Sequence, residues 1–376
     1  MKIAYSLQMV HDEYSSKTKE PITIVGGGPV GLLLACLLGQ KGKEVKLLEK
    51  RISLPDSSMA IGITPPSLDI LDLLGLKQTF LEKGVMIQQA EIFESGKPVG
   101  TLDFRSSGNY ILSFPQFGTM EVLEQKASEF PTVSIERGVT FGQEELEGSP
   151  GWVIGCDGAH SKVRAFANIK GRSHSYGVEF VMADFPDHEE LGNDARIYFS
   201  PSGAVESFPL PGQKRRWIAQ VEKQGDLTTL VERVQESSGI DLRDREAEPL
   251  WSFCPNRFLV ETYVKENLVL CGDAAHVMSP IGGQGMNTGF GDAMMLAEIL
   301  EAPSLSKLTQ YTNERQKAFR IASRRVALGM WLGTRRGKLA SGFRGTLLKQ
   351  ALNSAKANHT LVRTFSMRNL PHPFNP

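Results

Sequence analysis

Two glycine-rich stretches and one carboxylate define the chemistry open to this chain. In "ITIVGGGPVGLLLACLLGQKGKEVKLLEKR", Gly26, Gly28 and Gly31 stand in GxGxxG spacing, directly after a β-branched run and at the start of an apolar, helix-forming one. The first glycine permits a tight turn, the second lets the backbone approach a pyrophosphate, and the third lets helix pack closely on strand. An anion then meets free N–H groups at the positive end of the helix. Glu49 closes the next strand, 23 residues beyond Gly26, where a carboxylate can accept hydrogen bonds from a ribose. An acid there favours an unphosphorylated adenosine ribose, that of FAD or NAD rather than NADP.

The second stretch, "LVLCGDAAHVMSPIGGQGMNTGFGDA", delivers Gly272-Asp273 from a strand, loops through Pro280, Gly282, Gly283 and Gly285, and starts a helix at Met286-Asn287. Bare N–H groups and a positive helix end suit a ligand that develops negative charge; a reduced flavin, whose pyrimidine side becomes anionic, is such a ligand. Asp273 reads equally well as a turn residue or helix cap. His276, beside Ala274 and Ala275, reads as a packed, hydrogen-bonded histidine. A third stretch, "GSPGWVIGCDGAHSKVR", runs apolar from Trp152 to Ile154 and breaks into Gly155-Cys156-Asp157-Gly158. Taken alone it is a strand ending in a turn.

These groups need elements to hold them. Ile22 to Val25, Val30 to Gln40 and Glu44 to Leu48 read as a strand, helix, strand unit. Pro65 and Pro66 suit the first turn of a helix, and another helical stretch surrounds Thr119 to Lys126. Between Ser175 and Lys223, "VEFVMADF", "ARIYFS" and "RRWIAQVEK" predict a separate antiparallel sheet. The expected fold class is α/β: a Rossmann-like nucleotide-binding domain, three-layered around the βαβ unit, interleaved with a mostly antiparallel substrate sheet and followed by a C-terminal helical region. The expected division is a loose leader at 1–21, a discontinuous nucleotide-binding domain at 22–174 and 265–315, a substrate domain at 175–264 and a basic helical region at 316–376.

With 376 residues, 41% of them hydrophobic, the chain can bury a cofactor. No apolar run reaches the length of a membrane span, and the N-terminal apolar core is too short for a secretory signal, so a cytoplasmic location is expected. Cys36, Cys156, Cys254 and Cys271 show no CxxC spacing, which supports neither a disulfide framework nor a metal site. The net charge of zero conceals an asymmetry. From Gln316 to Pro376 there are 12 Lys and Arg and no acid, so the preceding residues carry 12 more acids than bases. That tail fits either docking on the acidic body of its own or a neighbouring subunit, as in a homo-oligomer, or peripheral contact with an anionic membrane. Gly329, Gly333 and Gly337, at four-residue spacing, would allow close helix approach. Nucleic acid is not an expected partner.

The ordered trio "GGGPVG" with Glu49, "GCDGAHSKVR" and "CGDAAHVMSPIGGQGMN" resembles the FAD-dependent aromatic hydroxylases of the para-hydroxybenzoate hydroxylase type, the single-component flavoprotein monooxygenases. The resemblance implies that Gly26, Gly28, Pro29, Val30, Gly31, Glu49, Lys50 and Arg51 hold the adenosine diphosphate half of FAD. It further implies that Asp157 and Gly158 lie beside the pyrophosphate, with Ser161 and Arg164 fixing their turn, and that Gly272 and Asp273 meet the ribityl or pyrophosphate region. Pro280, Gly283, Gly285, Met286 and Asn287 would line the isoalloxazine, and Gln116 of "PQFGTMEVL" would face the flavin chain. It implies oxidoreductase chemistry in which NAD(P)H reduces the flavin, O2 forms a C4a-hydroperoxide, and an aromatic or otherwise electron-rich small molecule is hydroxylated or epoxidised. Arg196, Tyr198, Phe199, Trp217 and Gln220 are candidates to line the substrate, with the facing side of the sheet undecided; no catalytic base is named.

Two departures stand out. Met59 occupies the place of a usual flavin-side arginine in "SSMAIGIT", and the stretch between Val139 and Trp152 is shorter than the family's strand hairpin. A reductase of the same fold remains an alternative, as does a non-redox scaffold for binding or cyclisation. A halogenase is the third, weakened by the absence of a Trp-x-Trp-x-Ile-Pro segment.

Overall fold

The computed structural model describes residues 17, 20–55, 59–187, 191–222 and 224–370; most of the expected leader, 1–21, lies outside them. Ile22–Val25, buried throughout, is an inner strand of a six-stranded sheet. The order is Val264–Lys265, Leu268–Leu270, Val153–Gly155, Ile22–Val25, Val45–Glu49, Val133–Arg137, all parallel except the first. The register sets Val25 beside Gly155 on one side and Leu48 on the other. The first glycine turn and the turn after Gly155 therefore leave the sheet at the same edge, outside the carboxyl ends of parallel strands, where α/β folds bind ligands. Helix Pro29–Gln40 is buried along nearly its whole length, sandwiched against helices Gln284–Ile299 and Gln116–Ala127. That explains why its sequence is apolar all round rather than amphipathic.

A seven-stranded sheet stands apart, ordered Trp251–Phe253, Glu179–Pro186, Lys214–Val221, Gly203–Leu210, Ala195–Ser200, Gln89–Glu94, Lys97–Asp103. The strands expected between Ser175 and Lys223 pair antiparallel. The sheet then gains Gln89–Glu94, paired parallel to Ala195–Ser200, and its hairpin partner. Those two strands fall inside the stretch that the sequence reading assigned to the nucleotide domain. Their alternating burial marks a strand, but which sheet a strand joins is decided by distant pairing. The boundary at 174 likewise falls inside Gly171–Ser175, a strand of a small sheet shared with Asn256–Val260 and His276–Val277.

One face of the seven-stranded sheet is covered by the roof helix Leu227–Ser238, whose Leu230, Val231 and Val234 pack on Val181, Val205, Trp217 and Ala219. The other face looks toward the nucleotide half and the C-terminal helices Leu305–Gly333, Lys338–Asn353 and Ala355–Phe365. The basic tail docks on its own chain. Arg344 is buried and its guanidinium grips Glu94 at 2.6 and 2.9 Å while lying over the Phe199 ring, Arg336 pairs with Glu222 and Arg368 with Asp69. Of the three spaced glycines only Gly333 meets a neighbour closely, its Cβ position lying 3.0 Å from Phe199; Gly337 lies beyond that helix with φ of 95°. Between Val139 and Trp152 the short helix Gln143–Glu147 bridges the gap. Among the described residues, no helix is long and apolar enough to cross a membrane.

Candidate functional site

In the first glycine turn, Gly26 has φ of 106°, and a Cβ there would lie 2.5 Å from the Cys156 carbonyl oxygen. A Cβ at Gly31 would lie 2.0 Å from the Gly26 carbonyl oxygen. Both positions are closed by packing. At Gly28 a Cβ would meet nothing within 4 Å, so the middle glycine borders open space where helix Pro29–Gln40 begins. No side chain caps that helix and no acid sits in its first turn, which leaves its N–H groups and positive end available to an anion. Glu49 is buried; Oε2 accepts the Gly27 N–H at 2.7 Å and Oε1 the Arg51 N–H at 2.9 Å. The acid thus fixes the loop as well as presenting its remaining lone pairs, while Lys50 and Arg51 extend into solvent.

The second glycine turn interlocks with the first. Val30 fits between two glycines: a Cβ at Gly272 would lie 3.2 Å from it and one at Gly289 2.6 Å. Beneath them lies a fully buried charge cluster. Asp292 Oδ2 accepts the Gly272 N–H at 3.0 Å and lies 2.6 Å from His276 Nε2, while Oδ1 accepts from Arg315 Nε at 2.6 Å. Burial would raise the Asp292 carboxyl, but His276 and Arg315 outweigh it and hold the carboxyl below its ordinary range. His276 is therefore packed and paired, consistent with its alanine surroundings. Asp273 differs: its side chain is solvent-accessible, yet the protein crowding around it raises its carboxyl by desolvation, with His276 opposing and Asp292 adding to the rise.

Farther along, Gly282 and Gly283 take positive φ of 87° and 64°, and Gly283 begins helix Gln284–Ile299 with no side-chain cap. Asn287 is consumed by structure. It donates to the carbonyls of Gly62 and Gly283 at 2.9 and 2.6 Å and accepts from the Thr64 N–H at 2.9 Å, tying the helix start to strand Gly62–Ile63. Pro280 is exposed at the loop tip, Met286 is half-buried, and a Cβ at Gly285 would touch only Met278, at 3.7 Å. Gln116 opens helix Gln116–Ala127, its N–H bonded to the Ala60 carbonyl and its side chain half-buried without a partner among the described residues.

In the third stretch, Asp157 Oδ2 accepts from the N–H groups of Lys162 and Val163, Ser161 Oγ caps Arg164 N–H, and Gly158 turns the chain at φ of 80°. Arg164 donates to the carbonyls of Ala159 and Ala274, which ties this turn to the second glycine turn. All three motif turns thus converge at one edge of the parallel sheet.

The five sheet candidates divide by strand parity. Tyr198 stacks with Phe93 and Trp217 beneath the roof helix, and Arg196, paired with Glu91, shares that face. Phe199 and Gln220 point to the opposite face, toward the C-terminal helices. There Gln220 accepts the Ala204 N–H and donates to the Thr334 carbonyl. Two residues of this inner face escape a reading by motif. Arg216, 2% exposed, makes a bidentate pair with Asp184 and donates at 2.6 Å to the carbonyl of Met59. A guanidinium from the sheet therefore reaches the backbone of the residue whose side chain departs from the expected arginine. Glu206, 7% exposed, has no hydrogen bond or ion pair among the described residues, and burial pushes its carboxyl up to about 7. The signal for Glu206 was a lone acid in the middle of the strand "GAVESFPL".

The residues present fit FAD. The open space at Gly28 and the uncapped helix behind it could take a pyrophosphate, and Asp273 and the uncapped helix start at Gly283 would stand beside the rest of the cofactor. Comparison with known proteins agrees: the model of the FAD binding domain family matches residues 19–325. A 12-dehydrotetracycline 5-monooxygenase/anhydrotetracycline 6-monooxygenase of Streptomyces rimosus is 28% identical over 320 residues, covering 75% of this chain and 62% of that protein. A para-nitrophenol 4-monooxygenase of a Pseudomonas strain is 27% identical over 348 residues, covering 81% of this chain and 84% of that one. The chain thus spans under two thirds of the length of the first of these relatives. The crystal structure of p-nitrophenol 4-monooxygenase from Pseudomonas putida superimposes with a TM-score of 0.82 at 22% identity, over 94% of this chain and 99% of that one.

Proposed function

We propose, from the premise that this chain belongs to the FAD binding domain family, that it is a flavoprotein monooxygenase. It would use NAD(P)H and O2 to hydroxylate an aromatic or otherwise electron-rich small molecule. The observation that carries the reading is the convergence of three separate turns, after Val25, Gly155 and Leu270, on one sheet edge that faces a second sheet. Two relatives named for monooxygenation of tetracycline precursors and of para-nitrophenol support an aromatic substrate.

When bound, FAD supplies hydride acceptance and oxygen activation; the chain supplies everything else. Gly28 and the start of helix Pro29–Gln40 bind the pyrophosphate, Glu49 orients the ribose, and Asp273 and Gln116 flank the ribityl chain. The N-terminus of helix Gln284–Ile299, uncapped by any side chain, would hold the flavin ring of the bound cofactor and offer its positive end to negative charge there. Phe180, Ile218, Met278 and Ile281 form an apolar wall between sheet and loop, which excludes water from the reacting centre. Residues 22–174 and 265–315, less the strands at 89–103, act as the nucleotide-binding half, and 175–264 with those strands as the substrate half. The ion pairs of Arg344, Arg336 and Arg368 with acids of the same chain favour docking of the tail on its own body over a membrane role, and a cytoplasmic setting suits the nicotinamide supply.

The test is incubation of the FAD-loaded protein with NADH or NADPH, phenols and isotopically labelled O2. Phenol-stimulated nicotinamide oxidation with one labelled oxygen in the product is expected. A colourless protein that takes up no FAD overturns the reading.

A further inference from the structure

Glu206 lies at the middle of strand Gly203–Leu210, between Ile197 and Ile218 of the neighbouring strands. Its sequence neighbours settle its direction. Val205 packs beneath the roof helix, and Ser207 Oγ accepts from Arg215 Nη1 at 3.0 Å; alternation sends Glu206 to the inner face. Two apolar clusters flank it there. Ile197, Phe199 and Phe208 pack with the C-terminal helices, and Ile218 packs with Phe180, Met278 and Ile281 near the second glycine loop. The strand also contacts Val85–Ile87 and Ile111–Ser113, with Ser113 Oγ donating to the Pro209 carbonyl. Ile111–Ser113 pairs in turn with Gly62–Ile63, the strand bonded to Asn287 at the start of the flavin-side helix.

The other charges on this face are already engaged: Arg216 with Asp184 and Arg344 with Glu94. Among the described residues none reaches Glu206. A nine-tenths-buried carboxyl without a partner among the described residues is unfavourable in the chain by itself, and a ligand presenting an O–H donor to it would satisfy it.

We propose that Glu206 receives the substrate, its carboxylate accepting a hydrogen bond from a phenolic or enolic hydroxyl and taking that proton as the ring is attacked. The inference rests on the monooxygenase reading above. In this step the substrate O–H bond breaks and an Oε–H bond forms. The electron pair stays on the substrate oxygen, where it enriches the ring toward an electrophilic oxygen, and Glu206 becomes the neutral acid. It returns the proton as the product hydroxyl is regenerated. A carboxyl raised by burial is a stronger base than an exposed one, which suits this task near neutral pH.

The test uses FAD-loaded protein and a matched pair of probes, 2-naphthol and its methyl ether 2-methoxynaphthalene, against wild type, Glu206→Gln and Glu206→Leu. Wild type should prefer the naphthol by about 10-fold or more, the worth of a hydrogen bond to a charged group. Glu206→Leu should lose that preference while binding the ether unchanged, and its Tm should rise. Glu206→Gln, which keeps an acceptor, should retain part of the preference, yet lose about 100-fold in naphthol-stimulated kcat with little change in KM. Equal preference in all three proteins, equal weakening of both probes, or failure of both to bind flavin-loaded wild type overturns the inference. Flavin uptake with no hydroxyl preference rejects Glu206 alone; absence of flavin uptake rejects the monooxygenase reading and the inference with it.

Discussion

At the two glycine turns the buried carboxylates are matched to N–H groups and cations of the same chain, although His276 Nδ1 and Gln284 Oε1 are left without a partner among the described residues. Glu49 holds the Gly27 and Arg51 N–H groups, Asp292 holds Gly272, His276 and Arg315, and Asn287 makes three hydrogen bonds to Gly62 and Thr64 and a fourth to Gly283 at the start of its own helix. On the inner face of the seven-stranded sheet Glu206 is buried with no hydrogen-bond or ion-pair partner among the described residues. The turns form a rigid cradle whose geometry is over-determined and whose ligand contact is mostly backbone. The sheet face leaves one side chain in need of an outside partner. A cofactor retained through many turnovers suits the first design, and a substrate that comes and goes suits the second.

Breaking the buried cluster should give the largest effect. Asp292→Ala leaves Arg315 buried without its carboxylate, so urea unfolding should report a loss of about 3–5 kcal/mol together with weaker FAD binding. A loss below about 1 kcal/mol would mean that the cluster does not brace the Gly272 turn. Glu206 should act with the opposite sign. A folded-state carboxyl at about 7 against an ordinary 4.5 keeps its proton while the unfolded chain ionises. Wild-type stability is then undiminished below about pH 4.5, falls as pH rises, and levels off above about 7, a difference of about 3 kcal/mol. Denaturation of wild type and Glu206→Gln across that range should show a loss larger by this amount in wild type, since Asp273, whose carboxyl is also raised, titrates in both.

The cradle itself contains a finer contrast. Gly31→Ala drives a Cβ to 2.0 Å from the Gly26 carbonyl and should lower stability by about 1–3 kcal/mol. Gly28→Ala meets nothing and has an ordinary φ of −75°, so it should change stability by less than about 0.5 kcal/mol while still impairing FAD binding. The smallest effect belongs to the tail surface: Arg336→Ala, opposite an exposed Glu222, should alter stability by less than about 1 kcal/mol, and less still in high salt.

The parallel sheet and its turns were legible in the sequence because a positive φ or a close backbone approach admits few residues besides glycine, and Gly26, Gly31, Gly272 and Gly283 carry that constraint locally. The apolar-to-polar break after Ile154 was legible for the same reason: a buried strand ends where Asp157 and Ser161 cap a new turn. The membership of Gln89–Glu94 and Lys97–Asp103 in the second sheet was not legible, because pairing with Ala195–Ser200 is set a hundred residues away. Nor was the division of Arg196, Tyr198 and Trp217 from Phe199 and Gln220, since period-2 alternation separates two faces without saying which is covered by the roof helix. Glu206 was hidden by that same ambiguity. Asp292 was hidden because a single acid in a small-residue helix gives no sign of the His276 and Arg315 that it binds from other elements.

FAD uptake by wild type and Gly28→Ala, followed by titration with the flavin and checked by unfolding of both proteins, tests the first glycine turn most directly. One FAD per wild-type chain is predicted, with a folded Gly28→Ala that binds it far more weakly. A wild type that takes up no FAD, or a Gly28→Ala that binds it equally well, would contradict the assignment of the first glycine turn as the cofactor cradle.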